Sequence, residues 1–247
     1  MSKKYELTDE TKEIGGITLH RIRALRDIPR YGVKSGDLGG WIEAESNLSQ
    51  DDDAWVSDDA RVYGNAKVCS NAWVSDDARV YGNAWVCDDA KVYGDARVYG
   101  DAKVYGDAKV YDDARVYGNA RVYGEAVVCG DARFYGEALV NGNAVVRGDA
   151  RVYGEALVNG NAEVSGNAEV KSIRDYAVFK NGWSSGRWFT YTRSNRMWRV
   201  GCFHGTGEEL IAKAYKDSEL SGKCYEAIVR AVETIEAAQA ETKGEAK

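Results

Sequence analysis

From Ala54 to Val170 the apolar residues keep a strict period of six: alanine, one polar residue or occasional large apolar one, valine, then three residues dominated by Tyr, Gly, Asp and Asn. Alanine fills twenty successive positions from Ala54, Ala60 and Ala66 to Ala168, and valine stands two residues after each, with Phe134 the one replacement. Residues two apart lie on one side of a strand, so each Ala/Val pair faces inward and its neighbours face out. Between the pairs stand Gly-Asn, Gly-Asp, Asp-Asp and Gly-Glu steps, which is the chemistry of a tight corner. Each unit predicts a short strand and a corner. A small residue beside a β-branched one suits a narrow interior. One such unit buries almost nothing, so the units must stack.

The outward positions give the number of units per coil. Asp-Ala-Arg-Val-Tyr-Gly returns every eighteen residues, beginning at Asp59, Asp77, Asp95, Asp113, Asp131 and Asp149; the fifth copy carries Phe134, and a seventh decays to Asn167–Lys171. An eighteen-residue period inside a six-residue one predicts three strands per coil and a triangular cross-section. The repeats make about six and a half coils, a column of roughly 30 Å at about 4.8 Å per coil.

Val-Tyr-Gly-Asp-Ala-Arg resembles the hexapeptide repeat of left-handed parallel β-helix proteins, a family that includes many acyltransferases and gamma-class carbonic anhydrases. The left hand is implied by that resemblance, since crossovers between parallel strands are generally right-handed. The stretch Val33–Ile42, with Asn47-Leu48-Ser49-Gln50, is similar to uncharacterised bacterial and bacteriophage hexapeptide proteins that carry a transferase label. The resemblance covers about residues 20–171 and implies a mainly β fold, a left-handed parallel β-helix with three hexapeptide strands per coil. It implies little about chemistry, because one fold hosts many functions.

Open solenoid ends need caps. Residues 1–53 predict the first, with Ile17–Leu25 pairing to Tyr5–Leu7 across Gly15-Gly16, and with Ile42 and Leu48 continuing the inward phase. Residues 54–171 are the β-helix. Residues 172–236 predict a small α+β domain: strands at 176–180, 187–192 and 197–203, a helix opened by the capping box Thr206-Gly207-Glu208-Glu209, and a second helix over about 218–235. Its expected buried face is Tyr225, Ile228, Val229, Val232 and Ile235, and residues 237–247 read as a polar, frayed tail.

Charge and composition then narrow the function. The net charge is -6, from 33 basic and 39 acidic side chains, which argues against nucleic acid as a partner. No run of 18 apolar residues predicts a membrane span, and the first ten residues lack a signal-peptide core. Five cysteines without a secretory address point to a reducing cytoplasm, which would be the host's for a phage-encoded chain. Cys69 and Cys87 stack within reach of a disulfide, but in that compartment they are expected as free thiols.

Acyltransferases of this fold use a histidine base and the carbonic anhydrases three histidine ligands, yet residues 54–171 contain no histidine. His20, His204 and the neighbouring Cys202 are the weak catalytic candidates, without a visible third partner. No metal or cofactor is expected. Binding candidates fall in two places. One outer face carries an arginine row beside a tyrosine row, with Arg97, Tyr99, Arg115, Tyr117, Arg133 and Tyr135 at its middle. Arginines about 5 Å apart repel by roughly 0.8 kcal/mol per pair even in water. The expected counter-charge is the aspartate two residues before each arginine, with guanidinium–tyrosine stacking as support. The second place is a stretch without acidic residues, where Arg187, Trp188, Arg193, Arg196, Trp198 and Arg199 interleave cations and aromatics; the alternative is that Trp188 and Trp198 pack on the helices while the arginines are solvated or pair with Glu208, Glu209 and Glu219.

Trp55, Trp73 and Trp85 at one end, and outward Val and Leu at the other, predict seams between side-by-side columns, with a homotrimer as the assembly. The sequence reading is thus a non-catalytic binding protein for a nucleotide-like small molecule or, for a phage protein, a host protein. An acyltransferase-like enzyme and a structural scaffold presenting the C-terminal domain are the alternatives.

Overall fold

The computed structural model describes residues 3–244, with side chains described to residue 240. It divides into two compact units, residues 1–175 and 176–247. In the first, β1 (Tyr5–Ile14) and β2 (Ile17–Ala24) form an antiparallel hairpin, and β3 (Leu38–Ile42) pairs with β2. β3 then runs parallel to Arg61–Val62, so the cap is hydrogen-bonded directly into the solenoid, while Leu48 bridges to Val68 in the same sense.

Twenty two-residue strands, β4 to β23, follow, from Trp55–Val56 to Glu169–Val170. Each of the first seventeen pairs in parallel with the strand eighteen residues on, giving three sheets, one per face of the column. An arginine face begins at Arg61–Val62, a tryptophan face at Trp55–Val56 and a third face at Lys67–Val68. Every repeat alanine is wholly buried, as are the repeat valines and Phe134 to within 1% exposure. The interior is therefore a continuous column of small and β-branched side chains with no polar atom of its own. The backbone groups are satisfied between coils, as in Arg97 N–H to Ala114 O at 2.9 Å and Tyr99 N–H to Val116 O at 3.0 Å.

Corners need left-handed backbone. Gly82 has φ +72°, and a Cβ there would stand 3.0 Å from the Gly100 nitrogen, so both conformation and stacking demand glycine. Aspartate takes the same corner elsewhere at the strain of φ near +57°, and recovers a bond: Asp76 Oδ2 accepts from Gly94 N–H at 2.9 Å and Asp112 Oδ2 from Gly130 N–H at 3.1 Å. The column is also straight. Successive tyrosines of the arginine face lie 4.9–5.1 Å apart with interplanar angles of 1–7°, so the coils stack without the rotation of ordinary sheets.

The second unit has four antiparallel strands, β24 (Tyr176–Lys180), β25 (Trp188–Thr192), β26 (Met197–Val200) and β27 (Phe203–Gly205). Sequence had merged the last two into one strand; the Gly201 turn, at φ +56°, separates them. Two helices follow, α1 (Gly207–Asp217) and α2 (Glu219–Gly244). The capping box forms, with Thr206 Oγ1 accepting from Glu209 N–H and Glu209 Oε2 accepting from Thr206 N–H. Phe189, Tyr191, Trp198, Leu210, Ile211, Tyr225, Val229 and Val232 make the core. α2 continues through most of the stretch expected to be a frayed tail, and Ile235, expected on the buried face, is 53% exposed.

Candidate functional site

The arginine face is the most regular surface of the chain. Across it run three parallel columns: Asp59 to Asp149, Arg61 to Arg151 and Tyr63 to Tyr153. The tyrosine rings fill one another's faces, leaving edges and hydroxyls outward. Partial burial raises the hydroxyl pKa of Tyr63, Tyr81 and Tyr117, which keeps those three neutral.

The expected neutralisation of the arginines is not what the structure holds. Among the described residues Arg61, Arg79, Arg97, Arg115 and Arg133 form no ion pair with any carboxylate, and none lies over a tyrosine ring. Arg61 even keeps a buried Nε without a partner. The aspartates stand in the turns that precede the two-residue strands, whose first residue is the arginine, so the two columns occupy different parts of the coil and do not pair. Only the ends are closed. Arg151 pairs with Glu169 at 3.4 Å, and at the other end Trp41 occupies the arginine column, with Arg21 and Lys12 over its ring at 5.4 and 5.3 Å.

The tryptophan face differs from expectation. Trp55 is 1% exposed and Trp73 stacks on Tyr31 at 5.7 Å. Arg30 pairs with Asp89, and the Tyr31 hydroxyl donates to the Asn71 carbonyl. The turn Pro29–Tyr31 thus holds the N-terminal segment over these two tryptophans, which are covered by the chain itself. The single proline followed by Arg-Tyr-Gly was the sequence signal for that strap. Trp85, on the third face, stays 45% exposed between the ammonium groups of Lys67 and Lys103, at 5.4 and 5.5 Å from its ring. It borders a groove of about 630 Å³ lined by Asp101, Lys103, Asn119, Arg121 and Glu137. On the same face Cys69 and Cys87 are joined in a disulfide at a Cα separation of 4.7 Å, against the expectation of free thiols. The coil spacing fixed by the backbone ladder already places them there.

The second unit distributes its basic residues rather than gathering them. Trp198 lies in the core at 2% exposure. Arg193 Nε donates to Glu236 at 3.1 Å, and Arg196 borders the same carboxylate. Arg199 sits opposite His204 in the β26–β27 pair. Trp188 is 43% exposed with Lys180 over its ring at 5.4 Å. Arg187 borders a separate cavity together with Cys202. His204 is exposed on β27, and His20 Nδ1 stands 3.4 Å from the Thr8 carbonyl on β1. The two histidines therefore lie in different units. Among the described residues no three His, Cys, Asp or Glu side chains cluster as a metal site, and no helix is long and apolar enough to cross a membrane.

Comparison with known families bears on the solenoid alone. Residues 72–88, 90–106 and 114–130 match the family model described as the YdcK beta solenoid repeat. No curated protein matches the chain. A repeat match describes architecture and carries no reaction.

Proposed function

We propose that the chain is a non-catalytic binding protein whose straight arginine face docks onto a protein surface, with copies of itself as the first such partner. The row of five guanidiniums without carboxylate or ring partners carries this reading. A row of like charges about 5 Å apart gains most from a partner that brings anions at the same spacing. The stacked tyrosines leave no slot for a nucleobase, which favours a flat macromolecular partner over a nucleotide.

A second copy offers the matching stripe. The Asp59–Asp149 column stands on the corner beside the arginines, so each coil presents an acid and a base side by side. Three copies with this corner turned to a common axis, coils level, would set each arginine column against the neighbour's aspartate column. Exposed ion pairs contribute about 0–1 kcal/mol singly, but a seam repeats them at every coil and partly removes them from water.

Native mass spectrometry with a charge swap tests it. The unaltered chain is expected at three chain masses. Arg97→Asp with Arg115→Asp should release monomers, and adding Asp95→Arg with Asp113→Arg should restore the trimer. A monomeric native chain, or a trimer indifferent to the arginine reversal, would overturn the reading.

A further inference from the structure

The second unit contains a cavity of about 430 Å³ beside the length of α1 and the first turns of α2, within the size range of small-molecule pockets. Its apolar wall is Val200, Phe203, Leu210 and Ala214. Its floor is polar and fixed. Asn181, 2% exposed, donates through Nδ2 to the Tyr225 hydroxyl at 3.0 Å and to Ser184 Oγ at 2.8 Å. Three charged side chains border it, Arg187, Lys213 and Asp217, and none of them forms an ion pair among the described residues.

Two details set these charges apart from ordinary surface residues. Asp217 is the last residue of α1, where the negative end of the helix disfavours a carboxylate. Arg187 lies against the Gly201 turn, where a Cβ would come within 3.1 Å of its Nη1, so a backbone without a side chain clears its place. Arg187, Asp217 and Tyr225 line the same cavity, and the Tyr225 hydroxyl, whose pKa burial raises, is pushed further up by Asp217 and back down by Arg187.

We propose that this cavity binds a free α-amino acid with an apolar side chain, its carboxylate held by Arg187 and Lys213, its ammonium by Asp217, and its side chain against Val200, Phe203 and Leu210. An apolar wall with both signs of charge in the lining matches that zwitterion, and each unpaired charge gains a charge-assisted bond on binding. The proposal is independent of how the solenoid assembles.

Cys202 borders the cavity and is exposed, so its alkylation reports occupancy, with half-buried Cys224 and buried Cys129 as internal references. Using the full chain, iodoacetamide labelling is followed by mass spectrometry with L-leucine or L-phenylalanine, and their affinities are measured by calorimetry. Either amino acid should slow Cys202 labelling severalfold without affecting Cys129 or Cys224, and N-acetyl-leucinamide, which lacks both charges, should not. Arg187→Ala and Asp217→Asn should each weaken binding about tenfold or more. Asp217 is exposed at a helix end, so its variant keeps the fold. Unprotected Cys202 with every apolar amino acid, equal protection by the blocked analogue, or full affinity in both variants would each overturn the site.

Discussion

The two units of this chain hold themselves together in opposite ways. The solenoid core is a column of alanines and valines in which no position outweighs the next, apart from Phe134. The C-terminal unit concentrates burial in a few large side chains, with Phe189 and Trp198 at 1% and 2% exposure and Tyr191 and Tyr225 packed against them. In the first, stability is a sum of nearly equal coil-to-coil terms. In the second it depends on single residues. The contrast is sharpest at Trp198. Trp198→Ala should destabilise the C-terminal unit by about 3–5 kcal/mol, and thermal unfolding should show one transition falling while the solenoid's stays. A single cooperative transition that moves as a whole would break the distinction.

The same contrast explains what could be read from sequence. In the solenoid each residue's environment is set by neighbours six and eighteen positions away, so Ala54, Val56 and their repeats declare their burial by period alone. The capping box at Thr206 and Glu209 is equally local and equally legible. What stayed hidden depends on tertiary placement. Trp55 and Trp73 read as open seams because their neighbours, Gly39 beside Trp55 and Tyr31 on Trp73, lie in the cap and belong to no repeat. The aspartate column read as counter-charge because spacing shows that two residues are near in the chain, and not that the aspartate belongs to the turn and the arginine to the strand. Trp198 could be read either as a stacking surface or as packed on the helices, because alternation on a short strand does not say which side the helices will cover.

The disulfide sharpens the comparison from the other side. Cys69 and Cys87 close a segment with a separation of 18 residues inside the solenoid, while the backbone bonds Lys67 N–H to Ala84 O and Cys69 N–H to Val86 O hold the same coils in register without it. Its stabilisation therefore acts on the unfolded chain, about 3 kcal/mol for a loop of this size. Reduction, or Cys69→Ser with Cys87→Ser, should lower the solenoid transition by that amount and leave the C-terminal unit untouched. Thiol counting on the purified chain checks the premise: two alkylatable thiols at these positions under native oxidising conditions would remove it.

The smallest expected difference lies in pH. Lys4, in the cap, is fully buried, and its Nζ donates to the carbonyls of Ala54 at 2.7 Å and Asp51 at 3.2 Å. Burial, aided by nearby Arg26 and opposed by Asp51, Asp52 and Asp53, lowers its pKa to about 8. Between pH 8 and the ordinary lysine value the unfolded chain keeps this proton and the folded chain has released it. The unfolded state then binds more protons, so solenoid stability rises with pH through that window, by about 1–3 kcal/mol. Two groups work against it. The buried Cys129 thiol has a raised pKa, as does Tyr5, so from about pH 8.5 and pH 10 respectively the unfolded chain ionises first and stability falls. Comparison with Lys4→Met separates the effects, since that chain keeps the downward terms and loses the upward one. Among its described residues the C-terminal unit buries no cation, so its transition should show no such rise. Denaturant midpoints measured for both transitions from pH 7 to 10 decide the matter: an equal rise in Lys4→Met, or a matching rise in the C-terminal transition, would mean that the buried ammonium is not its source.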